Sequence, residues 1–268
     1  NYVQQVFGEA VAAACLLSAT LKFKGKLVLQ INGQASGKQS DGAAYLLLIQ
    51  VTSAGTLRGL VRWQKEKQTA LEQAKSLTSL FGEKAQLVIT IDPTDQSERY
   101  QGVTALTGDC LADALDDYFI RSEQLKTRVY LSANATSAAG LLLQRLPNEA
   151  DDEDGWQRVQ QLANTVQGAE LLELSNETLL HRLFHEEQVR LFEPKPFTYQ
   201  CTCSLQKVTD MVRSLGQAEA EAMLAEQDNI SVTCEFCNTH YALDKIDVHQ
   251  LFLPHEPLNH ANQQTTVH

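Results

Sequence analysis

Apolar and polar positions change period several times along the chain, and each change marks an element. Residues 9–22 (EAVAAACLLSATLK) are apolar on nearly every side, which predicts a buried helix. In residues 26–32, Leu27, Leu29 and Ile31 alternate with Val28 and Gln30, the signature of a strand. Residues 33–43 are rich in Gly, Ser, Asp and Gln and read as a loop. Residues 45–52 and 56–63 read as two strands joined at Ser53-Ala54-Gly55, a hairpin signal. The stretch 71–81 fits a short helix or an ordered loop. Strands at 87–91 and 100–106 flank Asp92-Pro93, which reads as a turn. Asp109 is placed to cap a helix running to about residue 123. Its apolar stripe is Cys110, Leu111, Ala114, Leu115, Tyr118 and Phe119. Residues 128–134 and 141–146 read as a second hairpin across 135–140.

The acidic run 149–154 suits a helix N-terminus, where the helix dipole favours carboxylates. The helix after it carries Trp156, Val159, Leu162, Ala163 and Val166 on one face, and a further helix covers 177–187. Residues 189–192 then lead into Pro194-Lys195-Pro196, a break that reads as a domain boundary. Beyond it, Leu205, Val208, Met211, Val212 and Leu215 form a helical stripe. A second helix covers 217–226, and short strands at 230–233 and 241–243 follow. The expected fold class is α+β. An N-terminal β-sheet domain packed with helices (1–175) precedes a helical linker (176–196) and a small C-terminal domain (197–253). The tail 254–268 is polar and reads as disordered.

Composition narrows the partners. The 268 residues are 43 % hydrophobic, enough for a real core, and the net charge is −11. Residues 193–268 alone hold ten acidic and four basic residues. That balance argues against nucleic acid as a partner. No apolar run of membrane-spanning length and no signal peptide stand out, so no membrane partner is expected. The chain opens on Asn1 rather than methionine, as a fragment or processed form would.

Four of the six cysteines stand as Cys201-Thr202-Cys203 and Cys234-Glu235-Phe236-Cys237. A tetrahedral Zn²⁺ needs four soft or borderline donors at one point, and two close pairs bring them there with one long loop to close. The spacing therefore predicts one zinc, and the thiols imply a reducing compartment. A segment this small buries too little apolar surface to be stable alone, so the metal contributes much of its folding energy. Cys-x-Cys is an unusual knuckle. Without metal, neighbours this close can oxidise to a strained and readily reversed disulfide, so the site reads either as a staple or as a redox switch. Four thiolates on Zn²⁺ leave a formal charge of −2, for which Lys207 is a candidate partner. His240, three residues past Cys237, is a weaker rival ligand. His181 and His185 share a helix face but lack a third ligand. Cys15 and Cys110 lie in apolar or mixed helical segments and read as buried, inert thiols. Neither a Ser-His-Asp nor a Cys-His pair declares itself, and no G-x-x-x-x-G-K-[ST] loop is present.

Two function classes fit these residues by themselves, a zinc-ribbon interaction module with a purely structural metal and a thiol oxidoreductase using Cys234 and Cys237, and a third comes with a family resemblance. Acidic charge speaks against a nucleic-acid-binding ribbon, and the lack of a thioredoxin-like βαβ setting speaks against the oxidoreductase. Several segments then decide among them: 18–23 (SATLKF), 57–59 (LRG), 100–103 (YQGV), 118–125 (YFIRSEQL), 183–187 (LFHEE), and the Cys-x-Cys and Cys-x-x-Cys pairs with Asn238-Thr239-His240-Tyr241 after them. Together they resemble the heat shock protein 33 family of redox-regulated bacterial chaperones. The resemblance extends over nearly the whole chain.

That resemblance implies a non-enzymatic, ATP-independent cytoplasmic holdase for unfolding client proteins. Its zinc ligands are Cys201, Cys203, Cys234 and Cys237, and its reduced, zinc-bound form is inactive. Peroxide with heat, or hypochlorous acid, forms the disulfides Cys201–Cys203 and Cys234–Cys237 and releases zinc. The zinc domain and linker then unfold, and the active form tends to be a homodimer. Two departures stand out. The family has a further N-terminal stretch before Asn1, without which an edge or the dimer is left weaker. The loop 34–43 is longer and more polar than the family pattern. Residues 176–200 mix Leu179, Leu180, Leu183, Phe184, Val189, Leu191 and Phe192 with charges. That pattern fits either an ordinary amphipathic connector or a metastable cover over an apolar sheet face.

Overall fold

The computed structural model of the chain describes residues 1–33, 41–95, 98–146 and 153–253. Most of the loop at 33–43, most of the acidic run at 149–154, and the polar tail from 254 onward lie outside the described residues. The chain divides into two units, residues 1–200 and 201–268.

The first unit opens on α1 (Tyr2–Thr20), longer at its start than the apolar run alone predicts. Asn1 and Gln4 form a reciprocal capping box there, which satisfies end groups that would otherwise fray the helix. At 19 residues and a mean hydropathy of 1.2, α1 is long and apolar enough to cross a membrane, contrary to the sequence reading. Its inward residues Val6, Ala10, Ala13, Ala14 and Leu17 are instead buried in the protein core. Then follow β1 (Gly25–Asn32), β2 (Ala44–Thr52) and β3 (Thr56–Trp63), the last two joined at Ser53-Ala54-Gly55 as expected. The ambiguous stretch beyond is a 3₁₀ turn (Lys65–Lys67) and two short helices, α2 (Gln68–Gln73) and α3 (Leu77–Phe81). Strands β4 (Gln86–Pro93) and β5 (Tyr100–Ala105) come next. Asp92 and Pro93 are not the expected turn. They extend β4 opposite Lys26 and Gly25, and a proline is tolerated at a strand end because no further ladder bond is required of it.

Helix α4 (Leu111–Tyr118) passes directly into a π-helical turn, Phe119–Glu123. Its N-cap is Cys110 rather than Asp109, and the Asp113 carboxylate accepts the backbone N–H of both. Cys110 is accordingly exposed, because a capping residue precedes the stripe that packs. The hairpin β6 (Thr127–Ala133) and β7 (Ala138–Gln144) turns earlier than predicted. Asn134 Oδ1 accepts the N–H groups of Thr136 and Ser137 and closes the turn there. Helices α5 (Glu153–Ala163), α6 (Gly168–Glu173) and α7 (Asn176–Phe184) follow, α6 being absent from the sequence reading. A two-residue strand β8 (Thr198–Tyr199), also unforeseen, ends the unit.

Strand order in the main sheet is β5-β4-β1-β2-β3-β8, antiparallel except for the β3–β8 pair. Register builds the core: Leu27 pairs with Val51 and Ile91, Leu29 with Ile49 and Ile89, and Ile31 with Leu47 and Leu87. Eight of these nine side chains are buried, forming three apolar rows on one face against α1. Full burial of each such side chain contributes about 1.5–3 kcal/mol. The β6–β7 hairpin packs on the same helix, so closely that a Cβ at Gly8 would lie 2.6 Å from that of Ala133. Beside the hairpin sits a second, smaller core: Ala163, Leu171, Leu179, Leu183 and Phe184, with Leu141 and Leu143 of β7 against them. Arg182 fastens α7 to α6 by a fork onto Glu170 and a bond to the Thr165 carbonyl. Farther on, Val189, Leu191 and Phe192 are exposed, so the apolar positions of 176–200 divide into packed and unpacked halves.

The second unit is built of α8 (Leu205–Leu215), α9 (Gln217–Glu226), β9 (Ile230–Thr233), β10 (His240–Leu243) and α10 (Lys245–Leu251). Its buried core is small: Val208, Val212, Ala220, Leu224, Ile230, Leu243 and Val248. Of the predicted α8 stripe only Val208 and Val212 are buried, whereas Leu205, Met211 and Leu215 are exposed.

Candidate metal centre

Two connections of the second unit present the four cysteines. Cys201 and Cys203 lie in the extended chain before α8. That helix begins at once because the Ser204 hydroxyl accepts the Lys207 backbone N–H. The Lys207 ammonium donates to the Thr202 carbonyl, which pins the residue between the two thiols. Cys234 and Cys237 lie in the tight connection from β9 to β10. Asn238 donates to the Cys234 carbonyl at 2.7 Å and sits at φ 58°, a left-handed conformation that asparagine tolerates well. The Cys234 N–H bonds the Thr239 carbonyl at 2.9 Å and closes the knuckle.

All four thiols are free and half-buried, and their sulfurs lie within 4.8 Å of one another. The closest approaches run between the pairs: Cys201 to Cys234 at 3.6 Å and Cys203 to Cys237 at 3.4 Å. Four sulfurs placed about 2.3 Å from a central tetrahedral Zn²⁺ would stand about 3.8 Å apart. The donor set and its spacing therefore fit a closed metal site with no position left for a reacting ligand. Among the described residues no histidine joins the cluster. His240 Nδ1 is 3.1 Å from Thr233 Oγ1 across the β9–β10 pair. His181 and His185 merely stack, with ring centroids 6.0 Å apart.

Polar neighbours distinguish the sulfurs. The Thr239 hydroxyl, 3.1 Å from Cys237 Sγ, and the Thr239 backbone lower that thiol to about 6. Against the cost of burial, hydrogen bonds from Cys203 hold the Cys201 thiol below its usual value. The Tyr241 hydroxyl donates to Cys203 at 3.1 Å and draws that thiol down, but the sulfurs of Cys237 and Cys201 outweigh it and push Cys203 up to about 11. Bonding to Cys203 in turn raises the Tyr241 phenol to about 12. Thus, with no metal present, part of the set is poised as thiolate, the form that both binds metal and attacks oxidants. Thr239 and Tyr241 went unassigned in the sequence. Their signal is positional: both follow the knuckle within four residues, where a returning strand faces its own turn.

A family model described as Hsp33 protein matches residues 1–244. The 33 kDa chaperonin of Shewanella sediminis is 44 % identical over 250 residues, covering 93 % of this chain and 83 % of that one. The one from Nitrosococcus oceani is 45 % identical over 250 residues, covering 93 % and 82 %. In structure, the chain is similar to a crystal structure of the 33 kDa chaperonin (heat shock protein 33 homolog) of Thermotoga maritima. The TM-score is 0.73 at 21 % identity, over 94 % of this chain and 86 % of that one, which shows a shared fold. Sequence, fold and cysteine geometry agree: the chain belongs to the Hsp33 family of chaperones and is not an enzyme.

Proposed function

We propose that this protein is an ATP-independent holdase for unfolding client proteins, switched by the redox state of Cys201, Cys203, Cys234 and Cys237. The observation that carries the reading is four free sulfurs gathered within 4.8 Å beside a small core, seven buried apolar residues among those described. Zn²⁺, when bound, supplies a charge that keeps the four sulfurs ionised and ties both knuckles together. Two disulfides, Cys201–Cys203 and Cys234–Cys237, form as peroxide is reduced to water, and the donor set is consumed. The closest sulfur contacts run between the pairs, so this pairing rests on the family resemblance. The small unit then loses its cross-link and unfolds, turning a redox event into an order–disorder transition. Residues 1–175 serve as the client-binding domain, 176–196 as the stress-sensing linker and 197–253 as the redox switch. The active form is a homodimer in a reducing, cytoplasmic compartment.

The test is aggregation of a heat-denatured client with and without prior peroxide, measured alongside zinc release. Suppression of aggregation together with zinc loss, both only after oxidation, is the expected result. Zinc retained under peroxide, with no gain in suppression, would leave a structural zinc ribbon. Catalytic turnover of a dithiol substrate would indicate an oxidoreductase.

A further inference from the structure

Two stretches singled out in the sequence, YQGV at 100–103 and YFIRSEQL at 118–125, take no part in the cysteine centre. Within the N-terminal unit they converge on one cavity of about 200 Å³. Its walls are mostly apolar: Leu17 of α1 and Leu21 just past it, Ile89 and Ile91 of β4, Phe119 of the π-helical turn and Leu125. The two polar wall residues are bonded elsewhere, Thr20 donating to the Leu17 carbonyl and Gln144 to the Thr127 hydroxyl. Its head is polar. The Tyr118 hydroxyl donates to Glu123 Oε1 at 2.9 Å, the Tyr100 hydroxyl donates to the same oxygen, and the two phenol oxygens stand 3.1 Å apart.

Proton bookkeeping gives this head its character. Both phenol protons go to Glu123 Oε1, so the contact between the two phenol oxygens has no proton of its own. A carboxylate only accepts, and each phenol oxygen keeps lone pairs after donating its proton. The head therefore offers acceptors and no donor. No lysine or arginine lines the cavity among the described residues.

The backbone is shaped to permit this. A Cβ at Gly102 would lie 2.5 Å from Tyr118 Oη and 3.0 Å from Tyr100 Oη, so only a residue without a side chain lets both phenols converge. The π-helical turn, ended by Gln124 at φ 55°, brings Glu123 to the phenols; such turns recur at functional sites.

We propose that this cavity binds a small alkyl- or arylalkylammonium ion, with its apolar part on the leucine, isoleucine and phenylalanine walls and its N–H donors on Tyr100, Tyr118 and Glu123. The cation supplies the missing proton and the missing positive charge together. Size agrees, since an apolar cavity of about 150 Å³ accepts benzene, so this one accepts a ring with a short arm.

The test uses the full chain, reduced and zinc-loaded, with three probes of one shape: 2-phenylethylammonium, neutral 2-phenylethanol and anionic 3-phenylpropionate. Calorimetry or ligand-observed NMR should show the ammonium binding at least tenfold tighter than the alcohol, and the anion weakest. Glu123→Gln should lower ammonium affinity at least tenfold while leaving binding of the alcohol unchanged. The comparison of probes on the unaltered protein stands even if that variant misfolds. Equal affinity for ammonium and alcohol, or no binding of the ammonium at millimolar concentration, would overturn the proposal. Neither outcome bears on the redox switch, which involves none of these residues.

Discussion

Phe184 closes α7 and is 6 % exposed, while Phe192, eight residues on, is 73 % exposed. Truncating the two therefore separates packing from composition in one linker. Phe184→Ala removes a ring from a small core whose other buried members among the described residues are Ala163, Leu171, Leu179 and Leu183. Truncation of a buried phenylalanine costs about 3–5 kcal/mol. At about 1.4 kcal/mol per tenfold, local opening of α5–α7 becomes roughly a hundred to a few thousand times more populated. Arg182, forked onto Glu170, remains in place and does not refill the void. Phe192→Ala removes an exposed ring and should change stability by less than about 0.5 kcal/mol. Hydrogen exchange on the reduced, zinc-loaded protein should show faster amides across 153–187 for Phe184→Ala and wild-type exchange for Phe192→Ala. The first variant should also suppress client aggregation without oxidation, because the opened α7 exposes apolar surface. Unchanged exchange across 153–187 would refute the assignment of α7 to a small, separately yielding core. Faster exchange without added activity would confine the switch to the cysteine unit.

Metal analysis and X-ray absorption should find one zinc per reduced chain in a sulfur-only shell, and chelation should unfold residues 201–253 while leaving the main sheet intact; a nitrogen ligand would implicate His240. Burial lifts the Cys15 thiol to about 11, and Cys110 stands alone outside the cluster, so serine at either should leave the peroxide response intact. Loss of the response in a folded variant would show that the division of the cysteines is wrong. Burial also raises the Glu9 carboxyl, whose only hydrogen bond among the described residues is from Gln5 at 2.9 Å. A raised carboxyl favours the fold below its unfolded value near 4.5 and loses that advantage as pH climbs through the folded value. Glu9→Gln should therefore stabilise the N-terminal unit at pH 7 and not at pH 4, as read by urea unfolding at both.

Where one local pattern dominated, sequence was enough. Leu27, Leu29 and Ile31 alternate cleanly because β1 is a central strand with one face under a helix. The cysteine set was legible because metal spacing is a local constraint on two turns. Elements without a local signal were missed. β8 has two residues and exists only because β3 offers an edge, and the turn read at Asp92-Pro93 yielded to the ladder with β1. On α8 the stripe was visible but its depth was not: the small core of the second unit covers Val208 and Val212 and leaves Leu205, Met211 and Leu215 outside. The cavity head was illegible for the same reason. Tyr100, Tyr118 and Glu123 meet through a strand, a helix and a π-helical turn, and no single period records that meeting.

β8 also sets a length. Thr198 donates to the Gly55 carbonyl and Gln200 to that of Leu57, both at 2.9 Å, and the Lys195 ammonium holds the Ser53 carbonyl at 2.8 Å. While these bonds last, the first unit holds the chain as far as Gln200. If they part and Phe197 leaves the main core, the next firm anchor upstream is Glu187, which accepts a fork from Arg158. The stretch before Cys201 then becomes a flexible chain of about 13 residues, with a typical end-to-end span of about 20 Å. That short attachment thus decides how much free chain precedes Cys201, and so how large a volume of solution its thiol can sample.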